Sequence, residues 1–488
     1  MDSAVIVVGA GPVGLMLAGE LRLAGVPVVV LERLAGPTGQ SRALGFTVRT
    51  MEVLDQRGLL PRFGEVQTSP MGHFGGLLVD FGPLDSRHRT SHGIPQSRTE
   101  EVLGEWAAEL GADIRRGHEV VGIEQDPYGV EVRAVGPDGP VSLRTSYVVG
   151  CDGGRSTVRR LGGFDFPGTS GTYEMMLADL KDCDIEARPF GERLTGGVAM
   201  AAPLGDGVQR IIVKEHGVPV RGEPADFPAV AAAWQRITGQ DISGATPVWA
   251  SSFSDASRQT SSYRRERLLL AGDAAHIHLP AGGQGMNVGL QDAVNLGWKL
   301  ASVVGGWAPP GLLSSYHRER HPVGERLLMN TRAQGLLFLG GEEVQPLRDV
   351  LGELIALPEV ALQLARMVTG LEIRYEVGPG EHPLLGRRVP HQELVAGDGG
   401  VKTSTTELLR SARGVLFDLA DSAALRRTAS GWAGRVDVFS GSPHEPEPGS
   451  PLSGADAVLV RPDGHVAWVS PGAGELSREL YRWFGAPR

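Results

Sequence analysis

The chain has 488 residues, 41% hydrophobic and 21% charged, the balance of an ordinary soluble globular protein with room for two or three domains. A formal net charge of −10, with no basic run longer than a pair such as Arg115-Arg116 or Arg264-Arg265, works against a phosphate backbone, so nucleic acid is not expected as a partner. Cys151 and Cys183 form no CxxC and have no zinc-type spacing, and the first apolar run, Ala4 to Val8, is too short for a signal peptide or a membrane span; a cytoplasmic protein without metal or membrane is expected.

The 69 glycines and 33 prolines predict many tight turns and close backbone approaches rather than long helices, which suits a mixed α/β chain. Residues 4 to 31 have the pattern strand, glycine-rich turn, helix (Leu15 to Leu23), strand (Val28 to Leu31), half of a dinucleotide-binding unit. Short segments broken by Gly and Pro occupy 65 to 95, and a helix is predicted from Thr99 to Leu110. Alternation at 118 to 124, 130 to 135 and 141 to 149 predicts a β-meander that ends at Cys151-Asp152-Gly153-Gly154, where the chain re-enters its first domain. From about 174 to 260 the pattern is strand-rich, as in Val208 to Lys214 and Pro247 to Phe253, and predicts a separate sheet covering a substrate. Met175, Met176, Met200, Trp234, Trp249 and Phe253 in that segment are either one apolar pocket wall or ordinary core.

Arg267 to Ala271 returns to a buried-strand pattern, and a helical region follows to about 370. Gly and Pro between Val377 and Pro390 mark a boundary. Beyond it, strands at Gly414 to Leu419, Val436 to Phe439 and Ala457 to Val460 and a closing helix from Glu475 to Trp483 predict a smaller α/β unit, with a Pro/Glu/Ser/Gly-rich loop at 441 to 454. The expected domains are 1–173, the first part of a discontinuous Rossmann-like unit; 174–260, the inserted β-sheet; 261–376, the return of the first unit with a helical region; and 390–488.

Gly9-Ala10-Gly11-Pro12-Val13-Gly14 is a GxGxxG set between strand and helix, where backbone N–H groups and the helix dipole cradle a pyrophosphate. Glu32, 18 residues after Gly14 and followed by Arg33, ends the second strand where a carboxylate receives a ribose hydroxyl. This motif alone leaves FAD and NAD both open. A second signal lies at Arg267 to His276, a buried strand ending in Gly272-Asp273, which presents one carboxylate to the ribityl hydroxyls of a flavin. Downstream, Pro280-Ala281-Gly282-Gly283-Gln284-Gly285-Met286-Asn287 opens a helix; its glycines admit bare backbone to a ring, and its N-terminus stabilises negative charge.

With these residues in place the chain resembles the group A flavoprotein monooxygenases of the para-hydroxybenzoate hydroxylase fold, on GxGxxG at 9 to 14, Asp-Gly at 152 to 153 and Gly-Asp at 272 to 273. Over its whole length it looks most like the bacterial aromatic-polyketide hydroxylases acting on angucycline-type substrates, as in Gly72-His73-Phe74-Gly75-Gly76, Cys151 to Arg160 and Ala275 to Asn287. The resemblance implies FAD as cofactor, NADPH or NADH and O2 as co-substrates, and a polycyclic aromatic substrate hydroxylated through a flavin C4a-hydroperoxide. It also implies that the Asp-Gly motif lies where both FAD and the nicotinamide coenzyme pass, so that Asp152, Gly153 and Arg155 serve structure and NAD(P)H reaction alike with Asp152 and Gly153 binding cofactor, that Arg42 and Gln96 touch FAD, and that 390–488 is a thioredoxin-like domain, here without the CxxC a redox role needs. A homodimer is compatible with the family.

No side-chain acid or base is singled out. His73, His276 and His278 are candidates, but a lone histidine is more often a hydrogen-bonded structural residue, and a phenol supplies its own electron push, so the catalytic positions expected are the flavin-face residues Pro280, Gly282 and Gly283. No GxSxG elbow occurs to support acyl transfer. Two alternatives stand beside hydroxylation: a Baeyer-Villiger or ring-modifying oxygenase on the same scaffold, and a flavin-binding partner without turnover in a biosynthetic complex.

Overall fold

The computed structural model describes residues 3–222, 224–397, 400–444 and 452–488; residues 445–451 of the loop expected at 441 to 454 lie outside them. Its centre is a six-stranded sheet in the order 264–265, 268–270, 147–150, 5–8, 28–32, 113–116, parallel except at the 264–265 edge. Val5 to Val8 and Val28 to Leu31 are all buried, because the parallel sheet is covered by helices and by the apolar side of the strands at 119–145, which leaves no solvent side for polar residues. Small residues set how closely those helices stack. A Cβ on Gly19 of helix Pro12–Leu23 would meet the Trp106 ring at 2.0 Å, and one on Gly297 of helix Gln284–Val304 would meet Glu20 Cβ at 2.5 Å.

Antiparallel strands Glu119–Asp126, Gly129–Gly136 and Gly139–Thr145 form the predicted meander; the single segment expected at 141 to 149 is split at Ser146, and its second part joins the central sheet as Tyr147–Gly150. Residues 174–254 build a five-stranded sheet in the order 188–194, 197–205, 208–215, 174–181, 246–254, with helix Phe227–Thr238 packed on one face. Strand alternation divides the residues proposed as one wall. Met176 is buried with Ala178 and Val213 under that helix, against the helix's own Trp234, whereas Met175 and Phe253, paired across strands, lie on the opposite face.

The expectation of few long helices is overturned. Helix Ser314–Leu339 has 26 residues and Gln284–Val304 has 21, since the glycines concentrate in turns and at helix contacts rather than spreading through the chain. Helix Ser314–Leu339 runs through Pro322 without ending, and this position was one that composition could not foresee.

The last unit has a mixed sheet in the order 402–404, 393–396, 436–443, 414–418, 457–460, 466–470. Within it, strand Gly414–Asp418, helix Ala423–Ala429 and parallel strand Val436–Pro443 form a βαβ unit, followed by the hairpin 457–460/466–470 and helix Leu476–Phe484. The Gly/Pro segment 377–390 is packed rather than loose: Val377, Leu384, Leu385 and Val389 are buried in this unit's core.

Candidate active site

Strand Val5–Val8 delivers the chain into Gly9 at φ 105°, a conformation open to glycine, and a Cβ there would meet Cys151 O at 2.5 Å. A Cβ on Gly14 would meet Gly9 O at 2.0 Å. Gly11 differs: a Cβ there meets nothing within 4 Å, so the ground in front of the helix starting at Pro12 is open. Two glycines therefore serve packing, and the third keeps a gap at a positive helix end. Val13 fits between them, its methyls against Gly272 and Gly289. Glu32 ends the second strand and accepts from Ala10 N–H (2.9 Å) and Leu34 N–H (2.9 Å), which fixes its carboxylate beside this turn; Arg33 is exposed next to it.

Arg42 is exposed, in a loop clamped on both sides. Gln96 exchanges backbone and side-chain hydrogen bonds with Ala43, and Ser41 and Ser97 hydroxyls meet at 3.0 Å. The Gln96 amide also donates to Glu100 (2.8 Å). The structure thus places Gln96 as the holder of the Arg42 loop.

Asp152 caps the short helix Thr157–Leu161: its carboxylate accepts from Ser156 Oγ, Thr157 N–H and Val158 N–H at 2.5, 2.6 and 3.1 Å. Burial raises its pKa against these hydrogen bonds. Gly153 turns the chain at φ 77°, and Arg155 is exposed. Sequence reasoning missed Arg159, which joins the two halves of the site by donating to Gly154 O (2.7 Å) and Ala274 O (2.9 Å) while stacking on Phe166 at 3.8 Å. Nothing in the sequence distinguishes it from Arg155 and Arg160, which share the Cys151 to Arg160 segment with it.

Gly272 turns at φ 62° and leaves Asp273 exposed, with no hydrogen bond to another described residue. Behind it lies a fully buried ionic cluster. Asp292 accepts from Gly272 N–H (3.1 Å), His276 Nε2 (2.8 Å) and Arg320 Nε (2.6 Å). Burial raises the Asp292 pKa, but Arg320 and His276 outweigh it and hold the carboxylate below its usual range. His276 is thereby committed to structure. His278 hydrogen-bonds Leu279 O (2.6 Å) and, like His73, is held neutral by burial.

The turn at 280–283 has Gly282 and Gly283 both at φ 65°, the left-handed region, and Pro280 exposed beside them. Gly285 and Met286 follow in the first turn of the helix, half-buried. Gln284 and Asn287 are 4% and 2% exposed, and their amides face inward. Asn287 accepts from Thr47 N–H (2.9 Å) and donates to Gly45 O (3.1 Å) and Gly283 O (2.7 Å), pinning the 45–47 segment to the turn. Their side chains thus shape this wall from behind. Opposite it, Met175 and Val198 of the inserted sheet, with Tyr173, Ile212 and Phe253, pack in one apolar cluster with Leu279, Ala281, Phe338 and Leu339. A cleft of about 610 Å³ lies elsewhere, between the start of helix Ser314–Leu339, residues 372–377 and Trp483, and shares no residue with this constellation.

These observations fit FAD. The ground at Gly11 is open in front of a helix N-terminus, the Glu32 carboxylate is fixed beside that turn, Asp273 is an exposed carboxylate, and Gly282 and Gly283 are paired in the left-handed region. Comparison with known proteins agrees: a family model described as "FAD binding domain" matches residues 2–331, and one described as "Aromatic-ring hydroxylase, C-terminal" matches residues 382–487. The chain belongs to the FAD-dependent aromatic-ring hydroxylase family. It is 44% identical to a 12-dehydrotetracycline 5-monooxygenase/anhydrotetracycline 6-monooxygenase of Streptomyces rimosus over 99% of both chains, and 45% identical to a rifampicin monooxygenase of Streptomyces venezuelae over 99% of this chain and 98% of that one. Among solved structures it resembles CabE, an aromatic hydroxylase from angucycline biosynthesis, at 63% identity, full coverage of both chains and a TM-score of 0.96. This hydroxylase is an FAD-dependent aromatic monooxygenase, with the mixed α/β fold of its family. No helix among its described residues is long and apolar enough to cross a membrane.

Proposed function

We propose that the enzyme hydroxylates a polycyclic aromatic polyketide of the angucycline type, with NADPH or NADH as reductant and O2 as oxidant. The observation that carries this reading is the apolar cluster joining Tyr173, Met175, Val198, Ile212 and Phe253 of the inserted sheet to Leu279 and Ala281 of the flavin turn. A broad, flat, electron-rich ring system is bound best by apolar and aromatic side chains with few charges. His73, neutral and with its ring beside Phe190 and Phe338 at 6.3 and 6.4 Å, belongs to the same surroundings. The 63% identity to a hydroxylase named from angucycline biosynthesis, against 44% to the tetracycline enzyme, favours the angucycline class.

Bound FAD supplies the activation of O2 with electrons from the nicotinamide. The chain's part is to bind and orient. Gly9, Gly11, Pro12, Val13 and Gly14 seat the pyrophosphate; Glu32, with Arg33 and Arg42 nearby, receives the adenosine half; Asp273 takes ribityl hydroxyls. Asp152 and Gly153 hold the ground between the nucleotide and the flavin through the Ser156 cap and through Arg159. Pro280, Gly282, Gly283, Gly285 and Met286 form the flavin face, backed by Gln284 and Asn287, and the apolar cluster keeps water from the reacting edge. A substrate phenol supplies the electron push, so the mechanism needs no side-chain base.

Stopped-flow absorbance with NADPH and an angucycline-type phenol tests the reading. Faster flavin reduction with the phenol present, a transient band on mixing with O2, and a product one oxygen heavier with a new ring hydroxyl by NMR are expected. Reduction that no aromatic accelerates would refute it. A second reading, flavin held without redox turnover, has one finding behind it: a relative 40% identical over 99% of both chains is named a dialkyldecalin synthase of Streptomyces rugosporus rather than an oxygenase.

A further inference from the structure

Four hydrogen bonds run in one direction through the protein, between two segments far apart in sequence. Gly75 N–H donates to Gln334 Oε1 (3.2 Å), Gln334 Nε2 donates to Asn330 Oδ1 (3.1 Å), Asn330 Nδ2 donates to Gln284 Oε1 (2.9 Å), and Gln284 Nε2 donates to Ala281 O (3.2 Å). All three side chains are at most 4% exposed. Asn330 and Gln334 stand one turn apart on helix Ser314–Leu339, so their amides stack along one face.

The ends fix the polarity. A backbone N–H only donates, so the oxygen of Gln334 faces Gly75; a carbonyl only accepts, so the nitrogen of Gln284 faces Ala281. Asn330 is then left a single orientation, accepting on one side and donating on the other. Turning any one amide round would set like against like in a buried site, at the desolvation cost of two groups.

Each end matters to the site. Gly282, left-handed, lies directly on the chain: a Cβ there would be 3.3 Å from Gln284 Nε2 and 3.5 Å from Gln334 Oε1. Gly75 belongs to the turn of hairpin Met71–Phe74/Leu77–Asp80, whose His73 accepts from Gly76 N–H (3.3 Å) and lies beside Phe190 and Phe338. The Gly75 carbonyl is also held, by Arg348 Nη1 at 2.5 Å.

We propose that Gln334, Asn330 and Gln284 form a positioning relay that seats the flavin turn at 280–283 in register with the hairpin carrying His73. None of the three amides acts on the substrate; they act through Ala281 and Gly282. The relay rests on FAD binding at this turn and is independent of which aromatic is oxidised.

A double-mutant cycle on apoprotein, read by FAD titration with fluorescence quenching and by visible circular dichroism of the bound flavin, tests it. Asn330→Leu and Gln284→Met each break the relay with a side chain of similar size. Each is expected to weaken FAD binding about tenfold, the worth of one broken buried link, and to change the flavin's visible dichroism. The double variant should bind about as weakly as either single one, because a chain already cut loses little by a second cut. FAD affinities within about twofold of wild type in both single variants, or single effects that multiply in the double, would overturn the relay. If Asn330→Leu does not fold, as judged by far-ultraviolet dichroism, Gln334→Met with Gln284→Met completes the same cycle. No substrate enters the experiment, so an error in the proposed substrate leaves its outcome intact.

Discussion

Two glycines of one motif should fail in opposite ways when each gains a methyl. In Gly11→Ala the added Cβ meets nothing within 4 Å, and Gly11 already has φ −78° and ψ −179°, extended backbone that alanine adopts freely. Alanine is a poorer helix N-cap than glycine by roughly 0.5–1 kcal/mol, while the stiffer unfolded chain returns about 0.4–1 kcal/mol, so the apoprotein should keep its stability within about 1 kcal/mol. The methyl stands instead where the proposed pyrophosphate approaches the helix end. Losing even one hydrogen bond to a charged group costs about 1.5–3 kcal/mol, which is roughly a ten- to hundredfold loss of FAD affinity. Gly14→Ala reverses the balance: its Cβ would lie 2.0 Å from Gly9 O and 3.3 Å from Cys151 Cβ, both in the buried core. Overpacking of that kind costs about 1–3 kcal/mol or more, before FAD enters. Thermal denaturation of the apoproteins followed by dichroism, with FAD titration by fluorescence, separates the two. A Gly11→Ala protein that binds FAD like wild type would refute the placement of the pyrophosphate, and one that melts many degrees lower would refute the reading of Gly11 as open ground.

Other outcomes follow from the same geometry. Trp234→Ala removes a fully buried ring from the inner face of helix Phe227–Thr238 and should cost about 3–5 kcal/mol of stability by denaturant titration; Phe253→Ala, on the opposite face of the sheet, should instead raise KM for the aromatic substrate several-fold with FAD affinity unchanged. Arg159→Ala removes the link between Gly154 O and Ala274 O and should weaken FAD binding about tenfold by equilibrium titration, since two carbonyls lose a charged donor. Burial holds His465 neutral down to about pH 4, below its unfolded value of 6.5. The unfolded chain therefore binds the extra proton between those values, so stability is full above about pH 6.5 and falls toward pH 4, by up to about 3 kcal/mol from this group. Melting curves across that window should show the loss in wild type and a shallower slope in His465→Gln.

The fold was legible where a local pattern carries its own reason. Val5 to Val8 and Val28 to Leu31 are continuous apolar runs because both faces of a parallel sheet are covered, and Gly9, Gly11 and Gly14 punctuate strand and helix at a spacing that backbone approach requires. Other features depend on what residues far away do. Met175 and Met176 are neighbours in sequence and look alike, yet strand alternation sends one toward the flavin turn and the other beneath a helix whose position the sequence does not declare. Gln284 and Asn287 follow the flavin-turn glycines, as cofactor contacts would, but their amides are claimed by Asn330 and by Gly45 and Thr47. Asn330 and Gln334 carried no signal at all, since a buried amide on a helix acquires meaning from its partners.

The C-terminal unit poses the same problem in a larger form: it lacks cysteine altogether, so its contribution has to be sought in what it covers. Its loop 461–465 is driven into the FAD-binding unit. Arg461 pairs with Glu319 at 2.7 Å, Asp463 accepts from Asn295 (3.2 Å) and Trp298 (3.3 Å), and the carbonyls of Pro462 and Asp463 receive Arg57 and Arg49. Burial would raise the Glu319 pKa, but Arg461 and Lys299 outweigh it and hold it at about 2, while burial brings Lys299 down to about 8. Asn295, Trp298 and Lys299 all belong to helix Gln284–Val304 and Glu319 to helix Ser314–Leu339, so this loop ties together the two long helices that follow the turn at 280–283. Truncation at residue 389 would leave Glu319 and Lys299 facing each other without Arg461 and would strip Arg57 of two acceptors, the carbonyls of Leu409 and Pro462. Removing one partner of a buried ionic cluster costs about 3–5 kcal/mol, a large share of the stability of any domain. The shortened chain should therefore be recovered insoluble or without FAD, and a soluble, yellow, cooperatively melting 1–389 fragment would show that the flavin helix does not need this support.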